Sequence, residues 1–464
     1  MSPKRRGSLA FPVNNLRRYV TLISQQVAIG ASLIIKHPFT PPPVPSWPLH
    51  LALFVAVVRA TADYQEHIVE DISDIRHMID TFFHYLPKLP MMHIVPYKLP
   101  IPARGHEFPG VLEPLEQSET GHRTLPGIWI ADSKVWSKVM RMPIAPSAKA
   151  SKDPYAAREG EKVVFYTHGG GYFICSTATH REMLWRISRA TGRRIFAVDY
   201  RLAPEHPFPA ALQDASHAFH HLTDPQGVGF DPKNVTAAGD SAGGGLIIAL
   251  MMYQRDHGLP MPSKAFLLSD KMKTMARHPY ISPLWGSLEG LPPMLIQCGE
   301  AERLRDECIL FTYKAGGCFG TSNKLPVQLE SSQVELDTYP GMVHVFQAFP
   351  FLPESSMALQ RMLEFMQLKE ADVAVAEETV GLEVAVEVRG EADARQDEGE
   401  YTMDEATMVR ELEKVEVAGK LMEDLVGMSR GMEDLPASLQ LREGDVRLEE
   451  VHTSAAVATA AVRA

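Results

Sequence analysis

The sequence predicts an α/β fold: a mostly parallel central sheet with helices on both faces, an N-terminal helical cap, and an acidic, largely disordered C-terminal tail. From residue 127 to 369, short β-branched runs alternate with stretches whose apolar residues fall three and four apart, the pattern of a parallel sheet covered by helices. The 464 residues are 45% hydrophobic and include five Trp and 19 Phe, enough apolar material for a large core. Charge divides the chain, since residues 370–464 hold 24 acidic and 9 basic residues, a net of -15 that leaves +4 for residues 1–369 of a chain totalling -11.

In chain order, Lys4, Arg5, Arg6, Arg17 and Arg18 precede an uncharged run at 19–35, interrupted by Gln25, Gln26 and Gly30. That run lies at the lower edge of what spans a bilayer, so peripheral or single-segment membrane association is an expectation for it. No small-residue cleavage pattern follows it, which argues against a secretory signal. The proline-dense stretch 38–48 reads as a linker, closing a first region at 1–48. Residues 49–59 are too short to cross a membrane and read as a buried or interfacial helix; 68–85 continue with helical spacing until Pro87 and Pro90 stop it. Together, 49–110 is expected to form a cap or lid over a catalytic domain at 111–369. Strands are predicted at 127–130, 162–167, 195–199, 235–238, 265–268, 294–298 and 334–339, with helices at 181–191, 242–254 and 355–367 among those between them. The tail, 370–464, reads as mostly disordered, with one amphipathic helix at 406–428 and an unknown partner, if any.

Composition excludes several functions. Neither half carries the basic stripe that a phosphate backbone requires, so no nucleic acid is expected as partner. Cys175, Cys298, Cys308 and Cys318 contain no CxxC pair, so neither a disulfide framework nor a zinc motif is indicated, and a reducing intracellular compartment, cytoplasmic or at the endoplasmic-reticulum membrane, fits the usage. His217, His220 and His221 share a helical face without an accompanying carboxylate motif and read as solvated. No cofactor is predicted.

The chemistry concentrates in two glycine-rich turns. Gly239, Asp240, Ser241, Ala242 and Gly243 lie between the strand at 235–238 and the helix that begins near 242, a strand, sharp turn and helix that expose a serine as nucleophile beside a helix N-terminus. Upstream, His168, Gly169, Gly170, Gly171 and Tyr172 end the strand at 162–167, where consecutive glycines let backbone N–H groups face a developing oxyanion. The string GDS also occurs in trypsin-like proteases, but there the serine is the last triad member on a β-barrel, whereas here a histidine follows it and helices surround it. His344, on the turn after 334–339, supplies that histidine in the order serine, acid, histidine.

HGGGY at 168–172, DYRLAPEHPFPAA at 199–211 and GDSAGG at 239–244, in this order and spacing, resemble the hormone-sensitive-lipase family of α/β-hydrolases over 128–368. The resemblance implies an α/β-hydrolase fold, attack by Ser241 on an ester carbonyl, an oxyanion hole from the N–H groups of Gly170, Gly171 and Ala242, and His344 as base. It aligns the family's acid, usually aspartate, with Glu302, and Asp306 is the nearest rival. His168, Gly169, Tyr172 and Asp240 support these motifs, and Asp199, Arg201, Glu205 and His206 read as a locked structural loop. Members of this kind hydrolyse sterol esters and arylacetamides, which implies a short-acyl ester of an apolar alcohol as substrate.

The chain departs from the family after Ser269. Only 270–280 precede Ile281, Ser282, Pro283 and Leu284, where the family carries a longer, pocket-walling segment; the insertion at 324–333 is also outside the pattern. Two other functions stay open on this ground: a non-catalytic ligand-binding protein on the same fold, and an interaction protein acting through its acidic tail.

Overall fold

The computed structural model describes residues 24, 28–35, 44, 47–68, 76, 79–80, 83–84, 86–103, 108–268, 278–316 and 334–366. The chain divides into units Met1–Ala385 and Val386–Ala464, and all described residues lie in the first. The tail with its expected helix at 406–428, the insertion at 324–333 and most of 1–48 lie outside them. Residues 28–35 of the expected membrane segment are helical, and no helix among the described residues is long and apolar enough to cross a membrane.

Eight strands form one sheet in the order β1-β2-β4-β3-β5-β6-β7-β8. They are β1 (Met92–Pro100), β2 (Thr124–Asp132), β3 (Val163–Thr167), β4 (Arg194–Val198), β5 (Val235–Asp240), β6 (Lys264–Leu268), β7 (Met294–Gly299) and β8 (Val334–Tyr339). β2 runs antiparallel to β1 and β4, and every other pairing is parallel. All seven predicted strands are present. The eighth, β1, falls inside the stretch expected to be helical cap, because Pro96 and Pro100 disguise it. Proline is tolerated there since β1 is an edge strand, paired only with β2.

The helices are α1 (Leu49–Ile68), α2 (Glu113–Ser118), α3 (Ser133–Met140), α4 (Thr177–Thr191), α5 (Ala210–Thr223), α6 (Ala242–Asp256), α7 (Arg305–Ala315) and α8 (Pro353–Phe365). Central strands are buried on both faces, so alternate residues feed two cores. Val163 and Phe165 of β3 join Phe219 of α5 and Leu246 and Leu250 of α6 on one side. Val164 and Tyr166 meet Leu184, Trp185 and Ile187 of α4 and Met362 and Phe365 of α8 on the other. Burying a Leu or Phe side chain in this way contributes about 1.5–3 kcal/mol each. A capping box of Ser176 and Thr179 starts α4, and Gly192 at φ 65° ends it.

Trp47, just before α1, and Leu51 and Ala52 in its first turn pack against Tyr339, Met342, Phe346 and Ala358 in a third core. The start of the helix is therefore packed on the core, and it braces the turn that follows β8. Trp47 Nε1 donates to the carbonyl of Gly341 in that turn. Beyond α1, the described residues 76, 79–80 and 83–84 of the predicted 68–85 helix are helical.

Candidate active site at the C-terminal ends of the strands

Ser241 follows β5 with φ 50° and ψ -123°, a conformation forced on a non-glycine residue by the turn from strand to helix. Its N–H donates to Leu268 O at 2.8 Å, extending the β5–β6 ladder by one bond, and the residue is 6% exposed. A Cβ on Gly243 would lie 2.1 Å from the Thr167 carbonyl oxygen, so the close approach of α6 to the end of β3 demands glycine there.

The glycine loop after β3 is fastened to the elbow by Asp240. Its Oδ1 accepts hydrogen bonds from Gly169 N at 2.9 Å and Tyr166 Oη at 2.6 Å, and its Oδ2 meets His180 Nε2 at 3.2 Å. A Cβ on Gly169 would stand 2.1 Å from Asp240 Oδ2. Burial opposes ionisation of Asp240, but the charge and hydrogen bond of His180, with Tyr166, outweigh it and lower the pKa to about 2. Burial likewise opposes protonation of His180, and Asp240 outweighs it, so the His180 pKa is raised. His168 behaves oppositely: burial, and then neighbouring His180, lower its pKa to about 4. The neutral His168 ring stacks on Tyr200 at 4.4 Å, and its Nδ1 lies 2.7 Å from Gly169 O, so Nδ1 is the protonated nitrogen.

Past Gly169 the loop turns through left-handed conformations at Gly170 (φ 108°), Gly171 (φ 66°), Tyr172 (φ 70°) and Cys175 (φ 70°), closed by Ile174 N donating to Gly170 O at 3.0 Å. The N–H groups of Gly170, Gly171 and Ala242 donate to no described residue. Among described residues, the non-glycine positions with positive φ are Tyr172, Cys175, Ser241 and Val345, and each lies in the glycine loop, at the elbow or beside His344. Such strain concentrates where structure is held for chemistry.

Glu302 follows β7 and His344 follows β8. Two backbone bonds, Glu300 N to Tyr339 O and Ala301 N to Met342 O, both 3.0 Å, lock the loops together. His344 Nδ1 stands 3.2 Å from Glu302 Oε2; the Glu302 side chain is 1% exposed and that of His344 41%. Asp306, the rival acid, is an exposed residue in the first turn of α7 and pairs instead with Arg305 at 2.8 Å. Ser241 and His344 are not hydrogen-bonded to each other. The structure thus brings Glu302 to His344 and sets Ser241 beside the glycine loop.

The histidines of α5 differ from the sequence reading. His217 is buried with Nε2 2.8 Å from Glu116 Oε1, and His221 Nε2 lies 2.7 Å from Tyr97 Oη with Asp153 behind it. Their carboxylates come from α2 and from a loop far away in sequence, so no local motif announced them. His217 is thus a core histidine and His221 a half-buried one, each held by a carboxylate from another segment. Asp199, Arg201 and Glu205 also bond structurally, to Thr177, Asp214 and Arg76. Arg76 additionally donates to the carbonyls of Phe173 at 2.9 Å and Ala203 at 2.7 Å, tying the N-terminal segment to the glycine loop. Neither Arg76 nor His180 carries a sequence signal, since each becomes relevant only through the partner that folding brings to it.

A family model described as alpha/beta hydrolase fold matches residues 164–276 and 268–348. An acetyl-hydrolase of Streptomyces hygroscopicus is 33% identical over 241 residues, 44% of this chain and 75% of that protein. An esterase of Acinetobacter venetianus is 28% identical over 265 residues, 50% of this chain and 82% of that protein. Among solved structures, an esterase from the bacterial hormone-sensitive lipase family is 27% identical, covers 68% of this chain and 93% of its own, and has a TM-score of 0.46. With the parallel sheet, the serine elbow, the family model and the Streptomyces and Acinetobacter relatives in agreement, the chain belongs to the alpha/beta hydrolase fold family and is one of its ester hydrolases.

Proposed function

We propose that the chain hydrolyses short-acyl esters of apolar alcohols through a triad of Ser241, His344 and Glu302. The carrying observation is the buried Glu302 carboxylate 3.2 Å from His344 Nδ1. A carboxylate there fixes the tautomer that leaves Nε2 free to take a proton, and it stabilises the imidazolium that results. His344 accepts the Ser241 proton as Oγ attacks the ester carbonyl; the tetrahedral oxyanion rests on the N–H groups of Gly170, Gly171 and Ala242. Collapse expels the alcohol, which takes the proton from His344, and water repeats the sequence to release the acid. Closing the 41% exposed His344 onto Ser241 is assigned to substrate binding, since catalytic hydrogen bonds commonly tighten in the Michaelis complex.

The short acyl preference draws on the acetyl-hydrolase relative and on the brevity of 270–280, and within 49–110 the part that precedes β1 serves as cap. The two family-model stretches overlap at 268–276, which fits a chain lacking part of the pocket wall at this point. A ligand-binding protein on the same fold accords with the missing Ser241–His344 bond, but such a protein has no use for a buried acid directed at the histidine. The test is hydrolysis of p-nitrophenyl acetate, butyrate and octanoate by wild-type and Ser241→Ala protein. Serine-dependent turnover falling from acetate to octanoate supports the reading. Folded wild-type protein without turnover moves the chain to the binding-protein class.

A further inference from the structure

Behind the acid lies a group of side chains that ester hydrolysis does not use. Cys298 ends β7 and Cys308 lies in the first turns of α7; both are fully buried. Their Sγ atoms and a Glu302 carboxylate oxygen all lie within 4.8 Å of one another. Glu302 Oε1 is buried and has no hydrogen-bond partner, although Oε2 is engaged with His344. A buried carboxylate oxygen without a donor costs about 1–3 kcal/mol, so a cation there would gain from a ligand already stripped of water.

We propose that Cys298, Cys308 and Glu302 bind a borderline-soft divalent cation, zinc, and that its occupation draws Glu302 away from His344 and switches the hydrolase off. The donor set is suited to zinc. Thiolates bind it at about 2.3 Å and carboxylate oxygens at about 2.0–2.2 Å, so donors on one tetrahedral ion stand about 3.3–3.8 Å apart. The donors already lie within 4.8 Å of one another, so binding draws them closer by only about 1–1.5 Å. Binding releases two protons, one from each thiol, to solvent. The two thiolates and the carboxylate balance the dication with one negative charge in excess, and three protein donors leave a fourth position for water. Nothing in the cysteine spacing discloses this site, because the nine intervening residues form the turn that carries the acid.

The switch rests on the proposed role of Glu302, but the binding does not, so the two are tested apart. Cobalt(II) is titrated into Ser241→Ala protein, which has no turnover to lose. A thiolate-to-cobalt charge-transfer band saturating at one ion per chain, abolished by Cys298→Ser or Cys308→Ser and kept by the double variant Cys175→Ser and Cys318→Ser, supports the site. No band, or one lost with Cys175 and Cys318, overturns it. In case the buried serine variants unfold, zinc-edge X-ray absorption of unmutated protein reads the donors directly: two sulfurs support the site, and oxygen and nitrogen alone overturn it. Equimolar zinc should then lower wild-type turnover at least about tenfold, reversibly with EDTA, and leave Cys308→Ser active. Bound zinc with unchanged turnover overturns the switch. Failure of the triad itself appears elsewhere, as turnover remaining in Ser241→Ala.

Discussion

On the β3–β5 side of the site, Asp240 joins Gly169, Tyr166 and His180 below the surface, and Ser241 is 6% exposed. On the β7–β8 side, His344 is 41% exposed and held to Glu302 by one 3.2 Å bond, while Glu302 Oε1 has no partner. Ser241, the proposed nucleophile, and the glycine loop are thus fixed in advance by a charge-assisted network, whereas His344, the proposed base, is placed by two backbone bonds between loops and by the start of α1 packed against its turn. In the proposed mechanism, rigidity on one side suits donors that must meet an oxyanion without reorganising. Looser hold on the other suits the proposed base, which would reach the serine only when substrate is present.

The sharpest way to break this contrast is at Ser241. Ser241→Ala should remove ester hydrolysis by about 10⁶-fold in kcat and leave the melting curve unchanged, read by steady-state kinetics and circular dichroism. Glu302→Gln should reduce kcat by up to about 10⁴-fold, while Asp306→Asn, altering an exposed residue paired only with Arg305, leaves it within twofold of about unity. Equal losses in the two variants would place the acid wrongly.

Asp240→Asn probes the rigid side and should act on stability first, costing about 1–3 kcal/mol at neutral pH in chemical denaturation. Because the folded pKa of Asp240 is lowered from 3.8 to about 2, its contribution is complete above pH 3.8 and disappears as pH falls toward 2. The gap between wild type and variant should therefore narrow across that interval. His180, with its pKa raised, contributes fully below pH 6.5 and loses that contribution as pH rises through its folded pKa, so His180→Gln should matter less at high pH. The smallest effect is expected from Arg76→Ala, which severs the N-terminal segment from Phe173, Ala203 and Glu205. A partly exposed ion pair contributes at most about 1 kcal/mol, so the change should appear as a several-fold rise in KM with kcat nearly intact.

The same two sides differ in how far the sequence disclosed them. HGGGY and GDSAGG are contiguous, and steric demand requires glycine at their tightest positions, so the turn geometry at Gly169, Ser241 and Gly243 was legible in the sequence. His344 and Glu302 were locatable by strand order, since β7 and β8 were both predicted in place, and the family resemblance pointed to Glu302; only the fold, however, turns Glu302 toward the histidine and Asp306 away to Arg305. Strand β1 escaped because two prolines contradict strand propensity and only its edge position reconciles them. The burial of His217 escaped because Glu116 lies 101 residues away along the chain. Contacts between distant segments leave no periodicity to read.

The most direct test of the account is the rate and place of covalent labelling by a fluorophosphonate, followed by peptide mass spectrometry, in wild-type and Glu302→Gln protein. The predicted result is an adduct on Ser241, formed rapidly in the wild type and slowed by orders of magnitude when the acid is neutralised. An adduct elsewhere, or equal labelling rates in the two proteins, would contradict a Ser241 nucleophile activated through His344 and Glu302.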